Sequence, residues 1–378
     1  MKRILCLALV LATLIKLYLA FFTQGSFDVL LFQGHLANVQ KFGVSVYHTE
    51  GYLYNPFNHP PPMIHLMKFW GWLSQSGIPF RFWLRLSSIL ADIGSFFLLW
   101  HWLRNHDRDW LLLALALCPA SILISGFHGN TDPLMIFLTL LSIYLIGKNS
   151  RWAGVVFGLA VGVKIMPLIF GPAVFFHLTW RKRVEFFGLA CATFLACSLP
   201  YILQDPKLLA SVFGYGGVYG DWGFTLLAYV FSPEPPSYAI HHGVVKYGVQ
   251  GVHAGIAQIL KLITIALALV VPFHLRNEKL FVQCGFVTAI VLFFAPGFGY
   301  QYLAWLVPFV LLAGLRMTLV YYLTTGIYLS TIYICYATQR CLSPVYPALM
   351  AFACWLAILK VLITWRRKIQ MSMFSSCL

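Results

Sequence analysis

The chain has 378 residues, of which 60% are hydrophobic, 17% aromatic and only 10% charged; its mean hydropathy is +0.79 and its net charge +15. Soluble domains carry about a quarter charged residues, so these figures exclude a disordered chain, a secreted disulfide scaffold and an ordinary cytosolic enzyme. They also argue against nucleic-acid binding: the 26 Lys and Arg lie in short clusters between apolar runs, the pattern of cytoplasmic loop charge in a membrane protein.

Apolar segments recur along the whole sequence. They predict an all-α fold, a polytopic transmembrane bundle of about 12 helices forming a single integral membrane domain over residues 1–378. In chain order the predicted spans are 4–22, 82–103, 110–126, 132–147, 151–164, 166–179, 184–202, 256–275, 279–295, 301–314, 317–335 and 345–365. The first, behind Lys2-Arg3, reads either as a secretory signal or as a retained helix; no clear small-x-small cleavage site follows it, which favours the helix. Most cysteines fall inside spans as small hydrophobes, while Cys335 and Cys341 are placed to pair in an outer loop if that side is oxidising.

With the N-terminus inside, fifteen Lys and Arg lie at cytoplasmic ends, among them Arg181-Lys182-Arg183, and six on the other side. Both termini are therefore expected in the cytoplasm. Two long loops, 23–81 and 203–255, fall on the outer side, where the chemistry is expected.

The first outer loop opens on Asp28. Phe27, Leu30, Leu31, Gly34 and Asn38 share one helical face, which predicts an interfacial helix from Phe27 to Lys41. Residues 62–77 read as a second interfacial helix with Trp70 and Trp72 as headgroup-level anchors. Between them, four prolines within seven residues (56–62) forbid both helix and central strand. An extended path lined by Tyr54, Asn58 and His59 is expected.

Further on, Asp92 lies inside the second span, seven residues from Arg85. An intramembrane carboxylate marks either a functional site or a polar helix contact, with Arg85 as the expected partner. Phe127-His-Gly-Asn-Thr-Asp-Pro133 places His128, Asn130 and Asp132 at the outer edge. Asp132-Pro133 reads equally as an N-cap followed by the first helical position. Between Arg151 and Arg181, 29 residues must enter the bilayer and return. Each limb has about 13 residues, or about 20 Å, short of the roughly 30 Å core. The hairpin tip should lie inside the protein with Lys164 near it. Either Lys164 meets an anion such as a lipid phosphate, or it snorkels to the surface. Last, Gly297 and Gly299 after Pro296 break a span pair before Tyr300, Gln301, Tyr302 and Trp305, which form either a sugar-facing surface or an aromatic belt.

Taken in order, these residues resemble a known superfamily: an Asp after the first span, Gly43…Val46-Tyr47, Tyr54-Asn-Pro-Phe-Asn-His-Pro-Pro61, Gly129-Asn130-x-Asp132, Gly162-x-Lys164-x-x-Pro167 and Gln301-Tyr302-x-x-Trp305-x-x-Pro308. The pattern, over about residues 20–310, resembles the glycosyltransferase C superfamily and is most similar to its polyprenyl-phosphate-sugar-dependent mannosyltransferases. The resemblance implies an inverting hexosyltransferase. Its sugar, most often mannose, would come from a polyprenyl-phosphate carrier and go to a lipid-linked or glycan acceptor at the periplasmic or luminal face of a bacterial inner membrane or the endoplasmic reticulum.

Asp28 stands where that family has its catalytic base. Lys164, His59 and His128 are the expected donor-phosphate ligands, and Tyr54, Asn58, Asn130, Asp132, Gln301 and Tyr302 the expected substrate-binding residues. His59 occupies a position where an aromatic is common. Many relatives carry a second acid beside the first, and here the neighbours are Phe27, Val29 and Leu30. No cofactor is therefore predicted, and use of a divalent metal is left open. The expected partners are the lipid-linked donor, the acceptor and membrane lipids, with no nucleic acid.

The chemistry agrees with the resemblance. An oxocarbenium-like transition state attacked from the face opposite the leaving group needs one base on the acceptor hydroxyl. A lipid phosphate leaves without an acid and needs only positive charge or donors as its own charge develops. The competing reading is a lipid or small-solute transporter. Transporters favour internal repeats and midplane charges, whereas here no convincing repeat is found and the polar clusters gather toward one face.

Overall fold

A computed structural model describes residues 1–47, 57–103, 109–214, 217–232, 237–241, 244–248, 251–338 and 345–375. Among these residues seventeen α-helices follow one another: α1 Lys2–Phe22, α2 Phe27–Phe42, α3 Pro62–Leu73, α4 Phe80–Leu103, α5 Asp109–Ala116, α6 Pro119–Leu123, α7 Asp132–Ile146, α8 Ser150–Val163, α9 Gly171–His177, α10 Trp180–Gln204, α11 Leu208–Gly214, α12 Gly223–Phe231, α13 Gly251–His274, α14 Leu280–Phe294, α15 Leu303–Leu306, α16 Leu315–Thr338 and α17 Val345–Ser375. The fold is an all-α polytopic bundle. A short antiparallel hairpin, β1 Ser237–His241 with β2 Val244–Gly248, interrupts the second loop and pairs Ser237 with Gly248.

Among the described residues, seven helices are long and apolar enough to cross a membrane: α1, α4, the composite 109–128, α10, α13, α16 and α17. Four shorter apolar helices, 132–146, 150–163, 166–177 and 280–294, match predicted spans as well. The predicted span 301–314 is not a continuous helix. It is a 3₁₀ turn at Tyr300–Tyr302, the single turn α15 and a second 3₁₀ turn at Val310–Ala313. Pro308 removes one amide donor there. Buried neighbours hold the irregular backbone, since every residue from Gln301 to Leu311 is buried.

The helical path breaks at Lys164: α8 ends at Val163, and a 3₁₀ turn, Met166–Phe170, leads into α9. Asn149 caps α8 by accepting from the amides of Arg151 and Trp152. Gly154, Gly158 and Gly162 recur every four residues along α8, so its backbone lies against neighbours that a methyl group would strike: Phe186 O and Ala190 O of α10, and Pro62 of α3. At 14 residues, α8 is about 21 Å long, which leaves its C-terminal end inside the protein.

Two buried cations tie α1 to the bundle. Lys16 Nζ donates to Asp92 Oδ2 at 2.7 Å and to Ser121 Oγ at 2.8 Å; Ser121 and Ser125 donate to the same carboxylate oxygen. Asp92 thus pairs with Lys16 and not with Arg85. Arg85, seven residues earlier on α4, lies two turns away along the helix. It is fully buried, and its Nη1 donates to the carbonyls of Leu19, Ala20 and Thr23 at the end of α1. Leu19 O also accepts from the amide and hydroxyl of Thr23, and the guanidinium supplies donors to the carbonyls of Ala20 and Thr23 that close the helix.

In the second loop, Val218 and Phe298 exchange backbone hydrogen bonds of 2.9 and 2.8 Å. The Trp222 ring stacks on Phe298 with centroids 4.1 Å apart and planes 6° from parallel, and its Nε1 donates to Leu292 O. This clamp fixes the segment that leads to Gln301.

Candidate functional site

Ser26 caps α2, accepting from the Asp28 amide at 3.2 Å, and its hydroxyl donates to His128 O at 2.7 Å. The start of α2 is thereby joined to the segment after α6, where Ile124–His128 forms a π-helical turn. Gly129 closes that turn at φ 78, a left-handed conformation that favours glycine; a side chain there would also strike Val29 and Arg85. The turn brings His128 and Asn130 to one carboxylate. His128 Nε2 donates to Asp28 Oδ2 at 3.0 Å and Asn130 Nδ2 donates to the same oxygen at 2.5 Å.

Burial raises the Asp28 carboxyl. The charge and hydrogen bond of His128, the Asn130 hydrogen bond and the Lys164 ammonium outweigh it and hold the acid at about 2. The Asp28 side chain remains 23% exposed, facing a cavity of about 370 Å³.

That cavity lies between α2, the 58–60 segment, the end of α8, α13 and the segment around Gly297. Asp28, Asn58, His59, Asn130, Lys164, Gln301 and Tyr302 line it together, although they span some 270 residues of sequence. His128 lies behind Asp28 and does not line the cavity; its ring stacks on Tyr333 at 5.4 Å. Tyr54 lies outside the described residues.

Asp132 is fully buried and does not face the cavity. It begins α7, with Thr131 at the cap position and Pro133 one residue further in, so it is not the N-cap. Its carboxylate instead receives Lys164 Nζ at 2.9 and 3.0 Å and Trp305 Nε1 at 2.5 Å. Lys164 neither snorkels nor stands alone. It is 12% exposed, ion-paired with Asp132, and its ammonium lies 5.0 Å from the Tyr302 ring centre and 5.8 Å from that of Trp305. Trp305 is buried against this pair and is not a belt residue.

Both helices expected in the first long loop form, at Phe27–Phe42 and Pro62–Leu73, with a different inward face. On α2 the buried stripe is Val29, Phe32, His35 and Val39, while Phe27 and Leu30 are about half exposed. On α3, Trp70 is core and Trp72 is exposed. His35 and His59 border the cavity as neutral imidazoles. Burial pushes His35 down to about 4 against the pull of Asp28, and burial with the Lys164 charge pushes His59 down to about 3. Tyr47 fixes the 58–60 segment by donating its hydroxyl to His59 O at 2.9 Å.

His35, Tyr333 and Lys261 are not assigned to the site by the sequence, whereas Trp305 is one of the two alternatives it offers there. Of the three, only Lys261 carries a usable signal, a basic residue within an apolar helix. Among the described residues, no three His, Cys, Asp or Glu side chains gather closely enough to hold a metal ion.

Fold and site together define a multi-pass integral membrane protein with a carboxylate-bearing cavity that polar groups enter from loops and broken helices. Residues 57–296 match the sequence model of glycosyltransferase family 87, and the chain belongs to that family: it is a membrane glycosyltransferase. The matched range includes His59, Asn130, Lys164 and Lys261; Asp28 precedes it and Gln301 follows it. No curated protein sequence matches the chain.

Proposed function

We propose that this glycosyltransferase is an inverting, polyprenyl-phosphate-dependent hexosyltransferase, with mannose as the favoured sugar. The acceptor is a lipid-linked or glycan hydroxyl, and transfer takes place at the periplasmic or luminal face. The observation that carries the reading is the Asp28 carboxylate, ionised, hydrogen-bonded on one oxygen and open to a cavity that also presents Lys164. Asp28 removes the acceptor proton as the acceptor oxygen attacks the anomeric carbon. The carbon–oxygen bond to the phosphate breaks on the opposite face, and the lipid monophosphate leaves with the electron pair.

A carboxyl held at about 2 is a weak base in the empty protein. An arriving phosphodiester brings negative charge into the same field, which raises the affinity of Asp28 for a proton when it is needed. The cavity volume falls within the range of small-ligand sites, and its lining mixes polar groups with Ile165, Ile169, Val291 and Leu292, as a sugar on an isoprenoid requires. Asn58, Asn130, Gln301 and Tyr302 are the candidate sugar contacts, His59 and Lys164 the candidate phosphate neighbours, and His128 orients the base. Asp132 holds Lys164 in place.

The test is purified protein in liposomes with a radiolabelled polyprenyl-phosphate mannose and a lipid-extract acceptor. Transfer by the wild type and its loss in Asp28→Asn, with unchanged elution and melting, are the expected results. Equal turnover by Asp28→Asn would reject the base, and turnover from a nucleotide sugar alone would reject the lipid carrier.

A further inference from the structure

Three charged side chains border the cavity: Asp28, Lys164 and Lys261. The charge of Lys164 is already answered by the fully buried Asp132. Lys261 has no hydrogen bond or ion pair with any described residue. It is the eleventh of the 24 residues of α13, a helix with a hydropathy of 2.2 over its most apolar window. It lies five residues into the predicted span 256–275, exposed beside the cavity, where its ammonium is available to an anion.

The surroundings of Lys261 indicate what the anion is attached to. Ile265, one turn further along α13, lines the same cavity and is 49% exposed on the outer surface of the bundle. Its neighbours Leu262 and Leu269 are more than half exposed, as lipid-facing residues are. The cavity therefore opens sideways beside α13, through a gap with an ammonium on one side and apolar carbons on the other. A soluble anion has no reason to approach through hydrocarbon. An anion carried on a lipid does.

We infer that Lys261 binds the phosphate of a lipid-linked substrate at a lateral opening of the cavity, with the hydrocarbon chain leaving past Ile265 into the bilayer. This rests on the reading of the enzyme as lipid-phosphate-dependent and adds the cation and the entry route. Lys164, neutralised by Asp132, then stiffens the site, and Lys261 supplies the uncompensated positive charge that offsets the leaving phosphate.

The test is binding of radiolabelled farnesyl phosphate to the full chain in lipid nanodiscs, with inorganic phosphate and a nucleotide sugar as competitors. Lys261→Gln should bind about tenfold more weakly, the scale of one lost charged hydrogen bond. Lys261→Arg should restore most of the affinity, and Asp28→Asn, which removes a negative charge from the same cavity, should bind at least as tightly as the wild type while losing transfer. Wild-type binding by Lys261→Gln overturns the assignment of Lys261 and leaves the transferase reading standing. Displacement by inorganic phosphate at the same concentration as farnesyl phosphate overturns the lateral lipid route. Failure of the wild type to bind farnesyl phosphate overturns the lipid-phosphate reading itself.

Discussion

Asp28 accepts hydrogen bonds from His128 and Asn130 and keeps 23% of its side chain exposed. Asp92 accepts from Lys16, Ser121 and Ser125 and keeps 18%. Burial and donor count scarcely separate the two carboxylates. What separates them is the space in front. Asp92 borders a void of about 40 Å³ between α1, α4 and α6, close to the room of one water molecule. Asp28 borders about 370 Å³. A carboxylate whose donors come from three packed helices holds those helices together; one whose donors leave a side open can accept a proton from a visitor.

The sharpest way to break this contrast is to neutralise each acid in turn. Asp28→Asn should lower transfer by about 10²–10⁴-fold, the usual contribution of a positioned base, with little change in melting. Asp92→Asn should do the reverse. It strands the Lys16 ammonium and should cost about 3–5 kcal/mol of stability, while turnover per folded molecule is kept. A properly folded but inactive Asp92→Asn would end the distinction.

The next effect is one of pH. His35 stays neutral in the folded protein down to about 4, whereas an unfolded histidine protonates near 6.5. The unfolded chain then binds more protons, so stability falls as pH drops through that window, by about 3 kcal/mol for this residue. Denaturation followed from pH 7 to pH 4 should show a shallower slope in His35→Phe than in the wild type. An unchanged slope would place the acid sensitivity elsewhere, with His59, which is pushed down to about 3, as the next residue to replace.

The smallest effect concerns orientation. Tyr333→Leu removes the ring stacked on His128. Such a contact is worth about 0.5–1.5 kcal/mol, so kcat should fall by roughly two- to tenfold with the donor KM unchanged. A change in KM alone would show that Tyr333 contacts substrate.

The helices were legible because membrane spans are written in composition: a run of Leu, Val and Phe needs no partner to be recognised. The break at Lys164 was legible from charge and length, because two basic clusters expected on one side of the membrane cannot be reconciled with one crossing of 29 residues. Asp28, His59, Asn130, Lys164 and Gln301 were named beforehand and share one cavity. Their pairing was not legible. Nothing in Asp132-Pro133 reveals that its carboxylate turns toward Lys164 and Trp305, since local sequence describes the helix start equally well. Nor does the spacing of Asp92 and Arg85 reveal that Lys16 is nearer to the acid. Pairings across the bundle depend on which helices become neighbours, and periodicity within one helix carries no record of that. The break at 301–314 was missed for the related reason that a buried irregular segment is as apolar as a span.

The Trp222–Phe298 stack, with the backbone bonds between Val218 and Phe298, ties residues 218–222 to the approach to Gln301. That stretch cannot lift like a door on its own hinge. A displacement of that stretch would carry Phe298 with it, and with Phe298 the turn that holds Gln301 and Tyr302 on the cavity wall.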